Sequence, residues 1–363
     1  MKNIYLQIID HQSDKSSPVL ATVARTKGSA PQRPGSSAIF SESGLISGTV
    51  GGGAVEGAIQ KIAGARSLSG NSGYFHFNLV NDISRKEEAI CGGQITIIVD
   101  AKPLDHLAVF QQIERSIRNN DPGVLVTMVT GLSEETTQIQ RYWMSRNFTP
   151  SIQADILNRI HPVVNEMIAN PDPSCFIEME LSPEGAEKHV WLFIEPVLAP
   201  LKLVIAGAGH IGRALSHIGR MLGFEVTVID DRPEYANNDN IPDADRIMVK
   251  EIGEAVRDLK KGPDTFLVIV TRGHKDDAEA LRSCMGSDLA YVGMIGSRKK
   301  IEAMRTDFIE KGWATPEHWS AVHTPIGLEI NSQTVEEIAV SIAAELIQVK
   351  NSRREKQAGC PAQ

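Results

Sequence analysis

The second half of the chain alternates short apolar runs with stretches whose apolar residues recur every three or four positions. The runs predict strands at 202–206, 225–229, 246–249, 265–271 and 289–294. The amphipathic stretches predict helices at 210–222, 251–259, 276–285, 298–311 and 334–349. Thr334 and Glu337 have the spacing of a capping box at the start of the last helix. This alternation predicts a Rossmann-like doubly wound parallel sheet over residues 200–350, followed by a flexible tail at 351–363.

The first half has a mixed pattern in which predicted strands outnumber predicted helices. Strands are predicted at 19–24, 38–40, 45–47, 74–79, 95–99, 124–129, 139–143, 176–179 and 190–194. Helices are predicted at 1–15, 103–118 and 151–169, with another beginning near residue 54. Residues 195–200 carry two prolines and are predicted to be a linker. Residues 1–199 are therefore predicted to form an N-terminal α+β domain, which makes the whole chain an α/β protein.

Composition and charge narrow the class of protein. The 363 residues are 42% hydrophobic and 23% charged, which is typical of a globular protein with two or three domains. A net charge of −8 argues against nucleic acid as a partner. No apolar run approaches the ~20 residues of a membrane span, and no secretory leader is evident, so we expect a cytoplasmic protein. The scattered cysteines argue against a disulfide framework: Cys91, Cys175, Cys284 and Cys360.

A dinucleotide-binding fingerprint follows the first strand of the second half. Gly207, Gly209 and Gly212 form Gly-x-Gly-x-x-Gly, in which the glycines allow a tight turn, close approach of a pyrophosphate and close helix packing. Asp230 ends the second strand, where an acidic residue binds ribose hydroxyls, and Arg232 follows it. His210 takes the place of a small residue and can either crowd the phosphate or bind it. The alternative is a Rossmann scaffold whose glycines serve only packing.

Two further loops lie where the predicted strands end at their carboxyl side. His274 follows the fourth strand and can bind a phosphate, carry a proton or bind a metal, with Asp277 orienting it. Ser297 and Arg298 follow the fifth strand and resemble an anion clamp of backbone N–H groups and a guanidinium. An N-cap carboxylate beside an exposed histidine, and an ordinary capped turn, are the alternatives for the two loops.

Glycine-rich loops in the first half supply a second set of candidates. The first is a flexible donor loop with one cation, formed by Gly28, Ser29 and Arg33. The second is a glycine cluster before a helix, formed by Gly51, Gly52, Gly53 and Glu56. The third is a thiol beside two glycines, formed by Cys91, Gly92 and Gly93. A glycine cluster before a helix is typical of an anion site. The thiolate of Cys91 is a good ligand for a soft metal. The alternatives are ordinary turns, a dipole-stabilised Glu56 and a small buried cysteine.

Taken together, these motifs resemble the XdhC/CoxI family. The resemblance rests on residues 28–31, 48–53, 56, 91–93, 206–210, 230–232, 271–274, 292–298, 325–328 and 337–342, in this order along the chain. It implies a non-catalytic accessory factor rather than a xanthine dehydrogenase. Such a factor binds the molybdenum cofactor (molybdopterin), assists its sulfuration with a cysteine desulfurase and passes it to a molybdenum hydroxylase apoenzyme. The resemblance also implies a homodimer.

One position departs from the family pattern, and two other functions stay open. Many relatives have Cys after the third glycine of the cluster, where this chain has Ala54, so Cys91 is the remaining candidate for a molybdenum ligand. The fingerprint and Asp230 also suit an NAD(H)-dependent oxidoreductase, although no catalytic set stands out beside them. A non-catalytic nucleotide sensor is the third hypothesis.

Overall fold

The computed structural model describes residues 3–13, 17–79, 92–131, 133–135, 137–172, 175–181 and 190–357. The chain divides into two compact units between Ala199 and Pro200. Within the described residues, no helix is both long and apolar enough to cross a membrane. The predicted α/β class is confirmed, because antiparallel sheets form the first unit and a parallel sheet with helices forms the second.

The N-terminal unit contains four helices and nine strands in the part of the chain described. The helices are α1 (Ile4–Asp10), α2 (Gly53–Ser69), α3 (Leu107–Arg118) and α4 (Ala154–Ala169). The strands are β1 (Val19–Lys27), β2 (Ser37–Ser41), β3 (Gly44–Gly48), β4 (Gly73–Asn78), β5 (Gln94–Asp100), β6 (Gly123–Thr130), β7 (Gln138–Ser145), β8 (Ile177–Glu180) and β9 (Val190–Val197). The polar stretch at 81–88 lies outside the described residues.

Two antiparallel sheets build this unit. The first has the order β3-β2-β1-β5-β4 and the second β7-β6-β9-β8. Alternating residues of β1 point to opposite faces, so Val23 packs with Ile59 of α2 on one face and Leu20 packs with Phe110 of α3 on the other. Helix α4 covers the far face of the second sheet through Ile160 and its neighbours. The unit is therefore layered, and α2 is its outer helix beside the first sheet.

Polar contacts also join elements across this unit. Asp100 at the end of β5 forms an ion pair with Arg141 of β7, and both side chains are 3% exposed. Tyr5 of α1 donates a short hydrogen bond to Glu195 of β9. Glu195 lies in the segment predicted to be a linker, and this part of the prediction is wrong because β9 continues to Val197 in register with β6. Pro196 is part of β9 and pairs with Val124 of β6, so it does not end the strand.

The C-terminal unit contains the alternating elements that the hydrophobic pattern predicts. Its strands are β10 (Lys202–Ala206), β11 (Glu225–Asp230), β12 (Arg246–Val249), β13 (Thr265–Ile269) and β14 (Tyr291–Met294). Its helices are α5 (His210–Met221), α6 (Ile252–Asp258), α7 (His274–Cys284), α8 (Arg298–Glu310), α9 (Pro316–Ser320) and α10 (Val335–Gln357). Helix α9 was not predicted, and α10 is longer than predicted.

The parallel sheet has the strand order β12-β11-β10-β13-β14, which is that of a Rossmann fold. Helices α5 and α10 pack on one face, where Leu215 and Ile342 contact the buried side chains of β10 and β13. Helices α6, α7 and α8 pack on the other face. The predicted capping box of α10 is present, since the amide of Glu337 donates to Thr334 Oγ1 and the amide of Thr334 donates to Glu337 Oε2.

Candidate functional site

Two of the glycine loops of the N-terminal unit meet backbone to backbone. Lys27 of β1 pairs with Gln94 of β5, and this register places Gly28 beside Gly93. A Cβ added at Gly93 would lie 2.3 Å from the carbonyl oxygen of Ser29, and one at Gly28 would lie 3.3 Å from Cα of Gly93. Real Cβ atoms do not approach another atom to 2.3 Å, so residue 93 must be glycine for the two loops to meet in this way.

The third loop joins the same region and leaves the start of α2 open. A Cβ added at Gly51 would lie 2.8 Å from Cγ of Pro31, so the two loops are in close contact. Gly52 and Gly53 have φ values of 63° and 50°, and nothing lies within 4 Å of a Cβ built on either. No side chain caps α2. The first-turn N–H groups of this helix can therefore donate to an anion that approaches over the glycines.

Glu56 is fixed at the edge of this loop. Thr49 Oγ1 donates to Glu56 Oε2 at 2.9 Å and accepts from the amide of Gly51 at 3.2 Å. The carboxylate lies in the first turn of α2, where the helix dipole favours a negative charge. It supplies an acceptor close to the open N–H groups.

Arg33 is exposed and lines a small cavity of about 90 Å³ together with Cys175 and Glu195. The Arg33 side chain has no hydrogen bond or ion pair with the described residues. Cys175 is disulfide-bonded, which the scattered cysteine spacing did not predict. Burial raises the pKa of Glu195 to about 7, against the lowering effects of Tyr5 and Arg141. This cavity is too small to enclose a pterin. Arg33 could therefore contact a ligand of that size only from the rim of the cavity.

Cys91 lies outside the described residues, so its predicted role as a metal ligand stays a prediction. Its neighbour Gly92 is exposed and adjoins the contact between Gly28 and Gly93. Within the described part of the chain, no group of three or more histidine, cysteine, aspartate or glutamate side chains could hold a metal ion.

The fingerprint glycines of the Rossmann unit have distinct surroundings. A Cβ at Gly207 (φ 120°) would lie 2.4 Å from the carbonyl oxygen of Val270, and one at Gly212 would lie 1.9 Å from that of Gly207. These two glycines are required by packing. Gly209 caps α5, and a Cβ built on it meets nothing within 4 Å. His210 begins α5 and is exposed.

Asp230 is already bound by donors of the protein. It is 1% exposed, and its carboxylate accepts from the Ala208 amide and from the backbone amide, Nε and Nη2 of Arg232. Burial would raise the pKa of Asp230, but these hydrogen bonds outweigh it and lower the pKa. Arg232 in turn lies 4.0 Å from the ring centroid of Tyr235. The acceptor positions predicted for ribose hydroxyls are thus filled in this conformation.

The loops after β13 and β14 are joined through Asp277, whose side-chain partners among the described residues do not include His274. Asp277 is fully buried, accepts from Thr271 Oγ1 at 2.6 Å and forms an ion pair with Lys300 of α8. The prediction that it orients His274 is therefore wrong, because two closer donors occupy its oxygens. His274 is exposed at the first position of α7.

The start of α8 has the geometry of a capped turn with an exposed cation beside it. Ser297 is the N-cap and accepts from the amide of Lys300 at 3.3 Å. The Arg298 side chain is 87% exposed and lies 3.9 Å from an equally exposed Glu329. An exposed pair of this kind contributes little to stability, so Arg298 can turn toward a ligand.

Fold and loops define the class of this protein: a glycine-loop α+β unit followed by a Rossmann unit, with open helix starts in both. The model of the XdhC and CoxI family matches residues 12–78, and that of the XdhC Rossmann domain matches residues 203–346. The chain belongs to the XdhC/CoxI family, as its motifs predict.

Individual relatives agree with this assignment. The chain is 24% identical to a probable xanthine dehydrogenase subunit of Bacillus subtilis (strain 168), over 96% of this chain and 98% of that protein. It is 37% identical over 152 residues to YqeB of Escherichia coli (strain K12), a match that spans 42% of this chain and only 28% of YqeB. A crystal structure of a xanthine dehydrogenase from Bacillus halodurans shares the fold, with a TM-score of 0.73 at 23% identity over 98% of both chains.

Several contacts at these sites were not predicted. Lys300 pairs with Asp277, Arg272 pairs with Asp231 at 3.0 Å, and Arg232 binds Asp230. The signal available in the sequence was that charged residues of opposite sign occur at or just after the carboxyl ends of strands of one sheet. Their pairing depends on the spatial order of β11, β13 and β14.

Proposed function

We propose that this protein is an accessory factor for a xanthine dehydrogenase-type molybdenum hydroxylase, and that its N-terminal loops bind the phosphate-bearing pterin of the molybdenum cofactor. The observation that carries the proposal is the meeting of three glycine loops at the uncapped start of α2. Family membership and the full-length likeness to the Bacillus subtilis protein support the same role.

The described residues suit the phosphate and pterin parts of such a cofactor. The N–H groups of the first turn of α2 would hold the phosphate, because they lack side-chain partners and face open space at Gly52 and Gly53. Glu56 would accept from pterin N–H groups. The bound group would supply the metal and its dithiolene ligands. Ala54 offers no thiolate in this turn, so Cys91 is the proposed contact near the metal.

Attachment through hydrogen bonds suits a protein that must release its cargo. Each hydrogen bond to a charged group contributes about 1.5–3 kcal/mol, so a few of them retain a ligand without making transfer slow. Sulfuration with a cysteine desulfurase, transfer to the apoenzyme and a homodimeric state are further parts of the proposal, as is a cytoplasmic location.

Molybdenum and pterin analysis after co-expression with the cofactor pathway tests the proposal. Ala54→Asp adds a negative charge to the first turn of α2, which favours the helix but repels a phosphate. Ala54→Asn is the matched neutral control. We expect close to one molybdenum and one pterin per chain in the wild type and in Ala54→Asn, and at least a tenfold loss in Ala54→Asp.

Equal loading of the two Ala54 variants would remove the start of α2 from the site. Cys91→Ala should lower molybdenum while leaving the fold intact, and undiminished metal would exclude this thiol. A cofactor-free wild type would overturn the proposal as a whole.

A nucleotide at the Gly207–Gly212 turn is a separate part of the proposal. Because Asp230 is bound to Arg232, we expect any NADH binding to be weak until that pair opens. Enhanced nicotinamide fluorescence on adding NADH to the pure protein would support it, and no response at millimolar NADH would exclude it.

A further inference from the structure

The Rossmann unit also contains a cavity, and this cavity lies away from the carboxyl ends of the strands. It has a volume of about 380 Å³ and lies between the end of α7, the start of β14 and helix α9. Its lining combines apolar and hydrogen-bonding side chains, among them Met285, Tyr291, His318, Val322 and His323. The volume is within the range of pockets that bind small organic molecules, about 300–1,000 Å³.

A buried carboxylate behind this cavity orients one of the lining histidines. Glu345 of α10 accepts from His323 Nδ1 at 3.0 Å, from Tyr291 Oη and from the amide of Gly327 at 2.8 Å. The rings of Tyr291 and His323 are in contact, with centroids 4.5 Å apart and planes tilted by 35°. His323 is thus held by a carboxylate on one side and an aromatic ring on another, whereas most surface histidines move freely.

The network also sets which nitrogen of His323 carries the proton. Burial would raise the pKa of Glu345, but the hydrogen bonds from His323 and Tyr291 outweigh it and lower the pKa, so the carboxylate is ionised and only accepts. Nδ1 must therefore donate to it. In the neutral ring, Nε2 is left as an acceptor, and it has no hydrogen-bond partner among the side chains described for the Rossmann unit, residues 200–353.

The remaining groups around the cavity select the chemistry of an occupant. Glu317 and His323 supply acceptors, and Met285 and Val322 supply apolar surface. Burial raises the pKa of the lining thiol of Cys284 to about 12, so this sulfur is neither a nucleophile nor a metal ligand. The carboxylates of Glu317 and Glu345 lie near the cavity, and their negative charge disfavours an anionic ligand. An uncharged flat ring with N–H donors satisfies these conditions.

We propose that this cavity is a binding site for a lactam heterocycle of the purine or pterin type, whose ring N–H donates to His323 Nε2. Glu345 holds the imidazole in the accepting orientation. The site is separate from the glycine loops of the N-terminal unit and needs no phosphate on the ligand. The proposal also gives a role to the family motif at residues 325–328. The amide of Gly327 donates to Glu345, which is the carboxylate that orients His323.

Binding of hypoxanthine and of unsubstituted pterin to the full chain, measured by equilibrium dialysis at pH 7, where both rings are mainly uncharged, tests this assignment. His323→Asn keeps a donor to Glu345 at the place of Nδ1 but removes Nε2. His217→Asn is the matched control, because His217 Nδ1 lies 3.0 Å from Asp243 on an exposed surface without this cavity. We expect saturable binding of at least one heterocycle by the wild type and by His217→Asn, and about tenfold weaker binding by His323→Asn.

Histidine ¹⁵N spectra of the wild type give a readout that does not depend on a variant. Adding the heterocycle that binds should shift the Nε2 resonance of His323 and leave that of His217 in place. The assignment is overturned if neither heterocycle binds, if His323→Asn binds as the wild type does, or if the His323 resonance does not move. Because both probes lack phosphate, failure here leaves the proposed function of the α2 loops untouched.

Discussion

Two glycines of one turn should differ strongly in their response to the same substitution. Gly212→Ala places a Cβ 1.9 Å from the carbonyl oxygen of Gly207, well inside any real contact, so either the end of β10 or the start of α5 must move. Overpacking of this kind costs about 3 kcal/mol or more. For a unit of this size, that cost lowers the unfolding midpoint by roughly 6–12 °C.

Gly209→Ala is the matched control, since its Cβ meets nothing within 4 Å and its φ of −71° suits any residue. The lower preference for Ala at an N-cap and the smaller entropy of its unfolded chain nearly cancel, leaving a change below about 1 kcal/mol. Differential scanning calorimetry of the full chain measures both variants. Equal midpoints for Gly212→Ala and Gly209→Ala would refute the close strand–helix packing inferred from the turn.

Three further predictions concern buried groups. Arg141→Met should cost about 3–5 kcal/mol in urea unfolding because it leaves Asp100 buried without its cation, and adding Asp100→Asn should recover most of this; a loss below about 1 kcal/mol would contradict the ion pair. Glu195 has a folded pKa of about 7, above its ordinary 4.5, so its contribution to stability is complete below about pH 4.5 and is lost as pH rises through 7; Glu195→Gln should remove up to roughly 3 kcal/mol of this dependence, and parallel stability curves would refute it. Cys284, with a pKa raised from 9.0 to about 12, should react with a disulfide reagent at pH 8 roughly a thousandfold more slowly in the folded protein than in urea, and comparable rates would exclude its burial.

Hydrophobic periodicity was enough to predict the Rossmann unit because its central strands, β10 and β13, are short apolar runs that alternate with amphipathic helices. All residues of β13, and all residues of β10 except Lys202, are buried, as expected for strands covered on both faces. Family motifs predicted the same half independently, and the family is confirmed. Helix α9 escaped prediction because its five residues are too few for a periodic signal.

Side-chain partners were beyond the reach of the sequence. Asp230 has the position of a ribose ligand, but the residue two places later binds it, and no periodicity distinguishes Arg232 as a partner from Arg232 as a neighbour. His323 lies in a turn and pairs with Glu345 of α10, which is 22 residues further along the chain. Such pairs follow from tertiary packing, whereas the backbone requirements of Gly207 and Gly212 are local and were predicted from their spacing.

The contact between Gly28 and Gly93 has a consequence for the order in which the N-terminal unit forms during synthesis. These two glycines come together only when β5 pairs with β1, a contact between distant parts of the chain that costs loop-closure entropy and forms slowly. A nascent chain that has emerged only as far as α2 carries two of the three loops without the strand that brings the third to them. The meeting of the three loops is therefore a property of the finished unit, and under the proposed function a ribosome-bound fragment would not bind the cofactor.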